Sequence, residues 1–89
     1  MTDLLIEVWE YDDLCQSMGP VREFKDVRHR SKAVLVHSFR AGSFAEAQYL
    51  YDLWCGIDTI LPDDAFDEPF TPEEREVQDE YLRRRMKWA

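Results

Sequence analysis

The chain has 89 residues, of which 45% are hydrophobic and 13% aromatic, and its 19 acidic and 11 basic residues give a formal net charge of −8. A chain of this length forms one domain, residues 1–89, and buries only about 60–65% of its unfolded surface, which leaves little room for a deep catalytic cleft. The aromatic content argues against a disordered acidic chain, and two cysteines, Cys15 and Cys55, are too few for a secreted disulfide framework.

The charge is arranged in blocks along the chain. Residues 1–20 carry five acids and no base, residues 21–40 six bases and two acids, residues 41–70 seven acids and no base, and residues 71–89 five of each. Such blocks produce separate acidic and basic surfaces, which influence the choice of partner.

The chain shows no signal-peptide pattern and no apolar run near 18 residues, so we expect a cytoplasmic protein that does not enter the membrane.

Two segments have the period-two pattern of β-strands. They are Leu4–Tyr11 (LLIEVWEY) and Ala33–Arg40 (AVLVHSFR), and both are rich in β-branched and aromatic residues. The pattern places alternate apolar residues on one face of each strand. These are Leu4, Ile6 and Val8 in the first strand, and Leu35, His37 and Phe39 in the second.

The region between these strands gives weaker signals. Val21–His29 (VREFKDVRH) alternates weakly and is predicted to be an edge strand or an extended arm, since its many charges discourage unwanted strand pairing. Asp12–Met18 is predicted to be a loop. The alternative is a single helical turn, capped by Asp12 or Asp13 and ended by Gly19-Pro20.

Residues 43–56 carry the signals of a helix. Ser43 and Glu46 have the spacing of a capping box, in which the serine hydroxyl accepts from the third backbone N–H and the glutamate binds the N–H of the cap itself. Apolar residues follow at helical spacing, and Gly56 stands where a left-handed cap is required. We predict a helix over Phe44–Cys55 that packs across the sheet with its aromatic side chains in the core. The apolar stripe comprises Phe44, Ala47, Leu50, Tyr51, Leu53 and Trp54.

Ile57–Phe70 contains two prolines and no sustained period, and is predicted to be a loop. Four apolar residues in it are expected to hold it against the domain. They are Ile60, Leu61, Phe66 and Phe70.

A second helix is predicted from Pro72 to about Lys87. Thr71 and Glu74 form its capping box, and a proline at the first helical position supports this start. The apolar stripe of the helix is thin, so it either lies along one edge of the domain or is completed by a partner.

Catalytic and metal-binding patterns are weak in this sequence. His29 and His37 have no Ser or Cys nucleophile at motif spacing. The acidic run 63–68 offers oxygen ligands for Ca²⁺ or Mg²⁺, but it lacks the alternating spacing and central glycine of an EF-hand loop. The cysteines and histidines form no paired zinc motif. We therefore predict a protein that is not an enzyme and holds no metal or cofactor.

The basic arm, residues 22–32 (REFKDVRHRSK), carries five Lys and Arg residues, with Phe24 available for stacking. Such a patch can bind phosphates, although the anionic remainder of the chain repels nucleic acid at long range. RNA binding through this arm is one alternative function, and an edge strand whose bases pair with the acids of Leu4–Asp13 is the structural alternative.

The acidic stretch Ala41–Glu74 holds nine carboxylates and no Lys or Arg. Carboxylates one helical turn apart are separated by about 5–6 Å, close to the spacing of phosphates along a strand, so a fixed acidic face can occupy a Lys/Arg-lined channel as DNA does. An acidic surface that serves only solubility is the alternative. The residues predicted to contact a partner, with two phenylalanines as apolar anchors, are Asp52, Asp58, Asp63, Asp64, Phe66, Asp67, Glu68, Phe70 and Glu73.

These elements together predict a small α+β domain with a three-stranded antiparallel sheet and two helices, in the order β-β-β-α-α. Its size, high negative charge and lack of a catalytic pattern resemble the small phage-encoded anti-defence proteins, notably anti-CRISPR proteins. The resemblance covers size and charge and transfers no residue. It implies a stoichiometric inhibitor of a host nuclease or surveillance complex, which binds a basic groove on a protein partner and blocks access of nucleic acid.

A rival function from another class is a homodimerising assembly module or an antitoxin-like subunit. Its interface would be the second helix, through Tyr81, Met86 and Trp88. Salt distinguishes the two functions, because binding through charge weakens steeply with ionic strength and an apolar interface barely responds. The sequence is compatible with a monomer or a homodimer.

Overall fold

The computed structural model describes residues 2–11, 15–21 and 33–88, without the side chains of residues 11, 15 and 86–88. The strands form one antiparallel sheet in the order β2-β1-β3. This arrangement confirms the predicted α+β fold with the order β-β-β-α-α. The elements are β1 (Leu4–Tyr11), β2 (Cys15–Pro20), β3 (Val34–Ala41), α1 (Phe44–Trp54) and α2 (Pro72–Trp88).

The central strand, β1, has the bounds and the alternation that the sequence predicts. Leu4, Ile6 and Val8 are each at most 1% exposed, because apolar residues at period two turn to the same face of a strand. Removing that face from water stabilises the fold, because the hydrophobic effect is the dominant favourable term in folding. The core on this face consists of Leu4, Ile6, Ala41, Ala47 and Phe70, with Met18, Phe39 and Leu50 packed against it.

The second strand begins earlier in the chain than predicted. β2 pairs with β1 from Cys15 opposite Tyr11 to Pro20 opposite Ile6, so the predicted loop over Asp12–Met18 is wrong for residues 15–18. Few residues of CQSMGP favour a strand. Pairing with β1 and the packing of Met18 on the core override that preference, and an edge strand tolerates a proline at its end.

Two predictions fall on residues that the structure does not describe. The edge strand or arm predicted over Val21–His29 lies outside the described residues after Val21. The basic arm 22–32 lies there entirely.

β3 contains a bulge that the sequence pattern does not show. Val8 pairs with His37, whereas the next residue of β1 pairs with Leu35, so Val36 has no partner in this ladder. The extra residue moves Leu35 to the opposite face of the sheet. The prediction that Leu35 shares a face with His37 and Phe39 is therefore wrong, while those two rings stay together with centroids 5.5 Å apart.

The two helices cover opposite faces of the sheet. Ala47 and Leu50 of α1 pack on the face that carries Ile6. On the other face, Arg85 of α2 places Nη1 3.1 Å from Oε1 of Glu7. The sheet is therefore the middle layer of three.

α1 begins at the predicted residue and ends at Trp54, one residue before the predicted end, and it buries fewer of its apolar side chains than predicted. Ala47 is buried, whereas Phe44, Leu53 and Trp54 are 54%, 43% and 41% exposed. The prediction that the aromatic side chains lie in the core is therefore wrong for Phe44 and Trp54, and Leu53 of the same apolar stripe is exposed as well. Three strands spaced about 4.8 Å apart make a sheet roughly 10 Å wide, which is no wider than the helix itself. The outer positions of a wide apolar stripe are therefore only partly covered by the sheet.

Gln78 of α2 completes the hydrogen bonding between β1 and the residue that follows β2. Its Oε1 accepts from the Leu5 N–H at 2.8 Å, and its Nε2 donates to the carbonyls of Leu5 and Val21 at 3.0 and 3.3 Å. The side chain is only 2% exposed. A buried backbone group without a partner is unfavourable. The amide of Gln78 supplies these partners and so joins α2 to β1 and to the residue after β2.

Candidate functional site

The acidic loop, residues 57–70, is attached to the start of α1. Ser43, the N-cap, accepts from the Glu46 N–H at 3.0 Å and donates its own hydroxyl to the carbonyl of Ala65. The Glu46 carboxylate accepts from the Gly42 N–H at 2.7 Å, one residue before the N–H that the capping box predicts. The cap therefore serves both the helix and the loop.

The acidic loop also has fixed points of its own. Ala65 and Phe70 are 2% and 8% exposed, and the Phe70 N–H donates to the Gly42 carbonyl at 2.9 Å. The prediction that Ile60 and Leu61 hold the loop is wrong, since they are 83% and 37% exposed. They precede the first turn of the loop, where the Ala65 N–H donates to the Pro62 carbonyl.

The carboxylates predicted to contact a partner remain at the surface, with one partial exception. Six of these carboxylates are exposed and, in the described part of the chain, accept no hydrogen bond and form no ion pair. Asp52 is half-buried and accepts from Nε2 of Gln48 at 2.9 Å. The six exposed residues are Asp58, Asp63, Asp64, Asp67, Glu68 and Glu73.

The two predicted aromatic anchors lie deeper than the carboxylates. Phe70 belongs to the core and Phe66 is half-buried. Neither ring is offered to a partner as fully as Phe44, which the sequence placed in the core.

Phe44 forms one wall of a pocket between α1 and the acidic loop. The pocket has a volume of about 430 Å³, within the range of ligand-binding clefts, roughly 300–1,000 Å³. Phe44 is the first residue of α1 and is 54% exposed. The lining residues are Phe44, Ala45, Asp64, Ala65, Asp67 and Glu68.

This pocket has the chemistry to hold a cation. An aromatic ring attracts a guanidinium or ammonium group, and carboxylates form charge-assisted hydrogen bonds with it. The positive ends of the helix dipoles also favour nearby acids, which accounts for the pocket carboxylates beside α1 and for Glu73 in α2. Asp58 and Asp63 have no such structural role.

The other candidate side chains have structural contacts. His37 stacks on Trp54 with centroids 4.7 Å apart and an interplanar angle of 2°. The Tyr51 hydroxyl donates to Oε1 of Gln16 at 2.6 Å and so joins α1 to β2. Burial raises the pKa of Tyr51, and Cys55 and Asp52 beside it raise it further. Cys55 is a free, exposed thiol.

The described residues bear on three of the other sequence predictions. Among them, no group of three or more His, Cys, Asp or Glu side chains is placed to bind a metal ion, and no helix has the length and apolarity to cross a membrane. Tyr81, proposed for a dimer interface, is 1% exposed.

No protein-family model, curated protein or solved structure matches the chain.

Proposed function

We propose that this is a cytoplasmic, non-enzymatic protein that docks its acidic loop into a basic groove on a nucleic-acid-binding protein and inhibits that partner. One observation carries the proposal. Six carboxylates between Asp58 and Glu73 are exposed and have no partner in the described part of the chain, on a stretch without Lys or Arg. Such a surface attracts Lys and Arg side chains that otherwise neutralise phosphates.

The attachment of the acidic loop supports the same function. The Ser43 hydroxyl donates to the Ala65 carbonyl of the loop, and the Phe70 N–H of the loop donates to the Gly42 carbonyl. These two bonds attach the loop to the start of α1. A loop that is already ordered loses less conformational entropy on binding than a flexible one. Its carboxylates are therefore presented in a fixed pattern, which is what a substitute for a phosphate array requires.

The pocket beside Phe44 supplies a specific contact within this surface. A single Lys or Arg side chain that enters it meets the ring together with Asp64, Asp67 and Glu68. The partner is thus expected to insert a basic side chain there, while the other carboxylates face the surrounding groove. The protein itself would bind neither nucleic acid nor membrane, because its own charge repels phosphate.

Affinity capture with matched variants tests this proposal. The native protein, immobilised and exposed to extract of the cell that contains it, is expected to retain a nucleic-acid-binding protein that elutes as salt rises. The variant D63N/D64N is expected to lose that protein, whereas E76Q/E80Q, which removes two charges from α2, is expected to keep it. Equal retention by D63N/D64N would overturn the proposal.

A further inference from the structure

Residues 53–61 expose an unusual density of large apolar side chains. Within these nine residues, Leu53, Trp54, Ile57, Ile60 and Leu61 are 43%, 41%, 53%, 83% and 37% exposed. Single exposed apolar residues are normal on a protein surface, but a group of them marks an interaction site. We call this group the apolar ridge.

The first half of the apolar ridge is held in place by the end of α1. Gly56 has φ of 85°, its N–H donates to the Leu53 carbonyl at 3.0 Å, and the Ile57 N–H donates to the Asp52 carbonyl at 2.9 Å. These two bonds form a Schellman motif, which turns Ile57 back beside the last turn of the helix. The stack on His37 fixes the ring of Trp54.

The charge around the apolar ridge indicates what covers it. Asp52 directly precedes it, Asp58 lies within it, Asp63 and Asp64 follow it after Pro62, and the whole stretch Ala41–Glu74 has no Lys or Arg. A second copy would bring the same acids into contact, and an anionic membrane would repel them. A protein surface that carries both basic and apolar side chains matches the charge and the apolarity together.

We propose that the apolar ridge is the hydrophobic part of the partner interface, and that it binds a basic, amphipathic segment of the partner protein. This inference rests on the proposed function and adds to it the chemistry of the partner. Rim charges mainly steer association and fix orientation, whereas buried apolar anchors supply most of the affinity. Ile60, the most exposed of the five, is the principal anchor.

A pair of synthetic peptides tests the apolar ridge with the intact protein. One labelled peptide places lysine and leucine at amphipathic helical spacing, and its matched peptide has serine in place of each leucine. The native protein is expected to bind the leucine peptide about tenfold or more tightly than the serine peptide, as burial of one large apolar side chain allows. I60S is expected to lose most of this advantage. V77S, a change at a valine of α2 that is also exposed, at 67%, is expected to keep it.

The outcomes distinguish a failure of the apolar ridge from a failure of the carboxylates of the acidic loop. If I60S and V77S bind the leucine peptide alike, the apolar ridge is not the anchor. If D63N/D64N binds both peptides as tightly as the native protein at low salt, the proposed function itself fails. Two further results would overturn the inference: self-association of the native protein in sedimentation, or its binding to phosphatidylcholine vesicles, if I60S abolishes it. A second copy or lipid would then cover the apolar ridge.

Discussion

The carboxylate of Glu7 and the guanidinium of Arg85 form an ion pair at 3.1 Å between β1 and α2, with side chains only 10% and 12% exposed. The same Oε1 accepts from the indole N–H of Trp9 at 2.9 Å, and the Arg85 guanidinium lies 5.9 Å from the centre of the Trp9 ring. α2 is therefore attached to its face of the sheet by a largely buried polar group. Its thin apolar stripe is compatible with this mode of packing.

The substitution R85M is expected to lower the free energy of unfolding by about 3 kcal/mol, because it leaves the Glu7 carboxylate buried without its cation. R83M, which breaks the exposed pair with Glu80, is expected to lower it by at most about 1 kcal/mol. Urea unfolding measures both. The double variant E7Q/R85M should be more stable than R85M alone, and additive losses would contradict a coupled pair.

Gln78→Ala is expected to lower the free energy of unfolding by about 2 kcal/mol, because the Leu5 N–H and the Val21 carbonyl lose a buried partner. Hydrogen exchange gives a local readout, since the Leu5 amide should exchange faster in this variant. Gln48→Ala, at an exposed position of α1, is the control and should change stability by less than about 0.5 kcal/mol. Unchanged protection of Leu5 would show that Gln78 does not carry this hydrogen bond.

The parts of the fold that the sequence predicts correctly are those with local signals. Capping residues determine both helix starts, and period-two alternation determines β1. β2 was missed because its sequence is a poor strand on its own and depends on pairing with β1. The bulge at Val36 and the bridging amide of Gln78 arise from tertiary contacts, for which no spacing in the sequence is diagnostic.

The sequence indicates the charge of the candidate site but not which of its apolar side chains are exposed. The charge of the acidic loop is visible in the sequence, and the structure places its carboxylates at the surface. The sequence does not show whether an apolar residue is buried. Nothing in its spacing distinguishes the exposed Phe44 and Ile60 from core residues such as Phe70. The exposed fraction of each side chain decides which of them is free to contact a partner.

Ser43→Ala is expected to lower the free energy of unfolding by about 1–2 kcal/mol through loss of the helix cap, and also to weaken partner binding because the Ala65 carbonyl loses its donor. Thr71→Ala removes a similar cap, at the start of α2, where the Glu74 N–H donates to the threonine hydroxyl at 3.1 Å. It is expected to reduce stability but leave the binding of the leucine peptide unchanged. Equal effects of the two variants on binding would show that the Ser43 contact does not position the acidic loop.

Neutralising the acidic loop is expected not to destabilise the fold. In the variant D63N/D64N/D67N/E68Q, lost interactions with the helix dipole are small and relief of mutual repulsion offsets them. The free energy of unfolding should stay within about 1 kcal/mol of the native value, with any gain largest at low salt because salt screens exposed charges. Thermal unfolding at two ionic strengths measures this. A large loss of stability would mean that these carboxylates serve the fold.

Competition with nucleic acid tests the central claim most directly. With the captured partner bound to a labelled nucleic acid, fluorescence anisotropy reports displacement as this protein is added. The native protein is expected to displace the nucleic acid stoichiometrically, and D63N/D64N/D67N/E68Q to be weaker by about 100-fold, as four lost charge contacts predict. Nucleic acid that stays bound when the partner is saturated with the native protein would contradict the claim that the acidic loop occupies the groove.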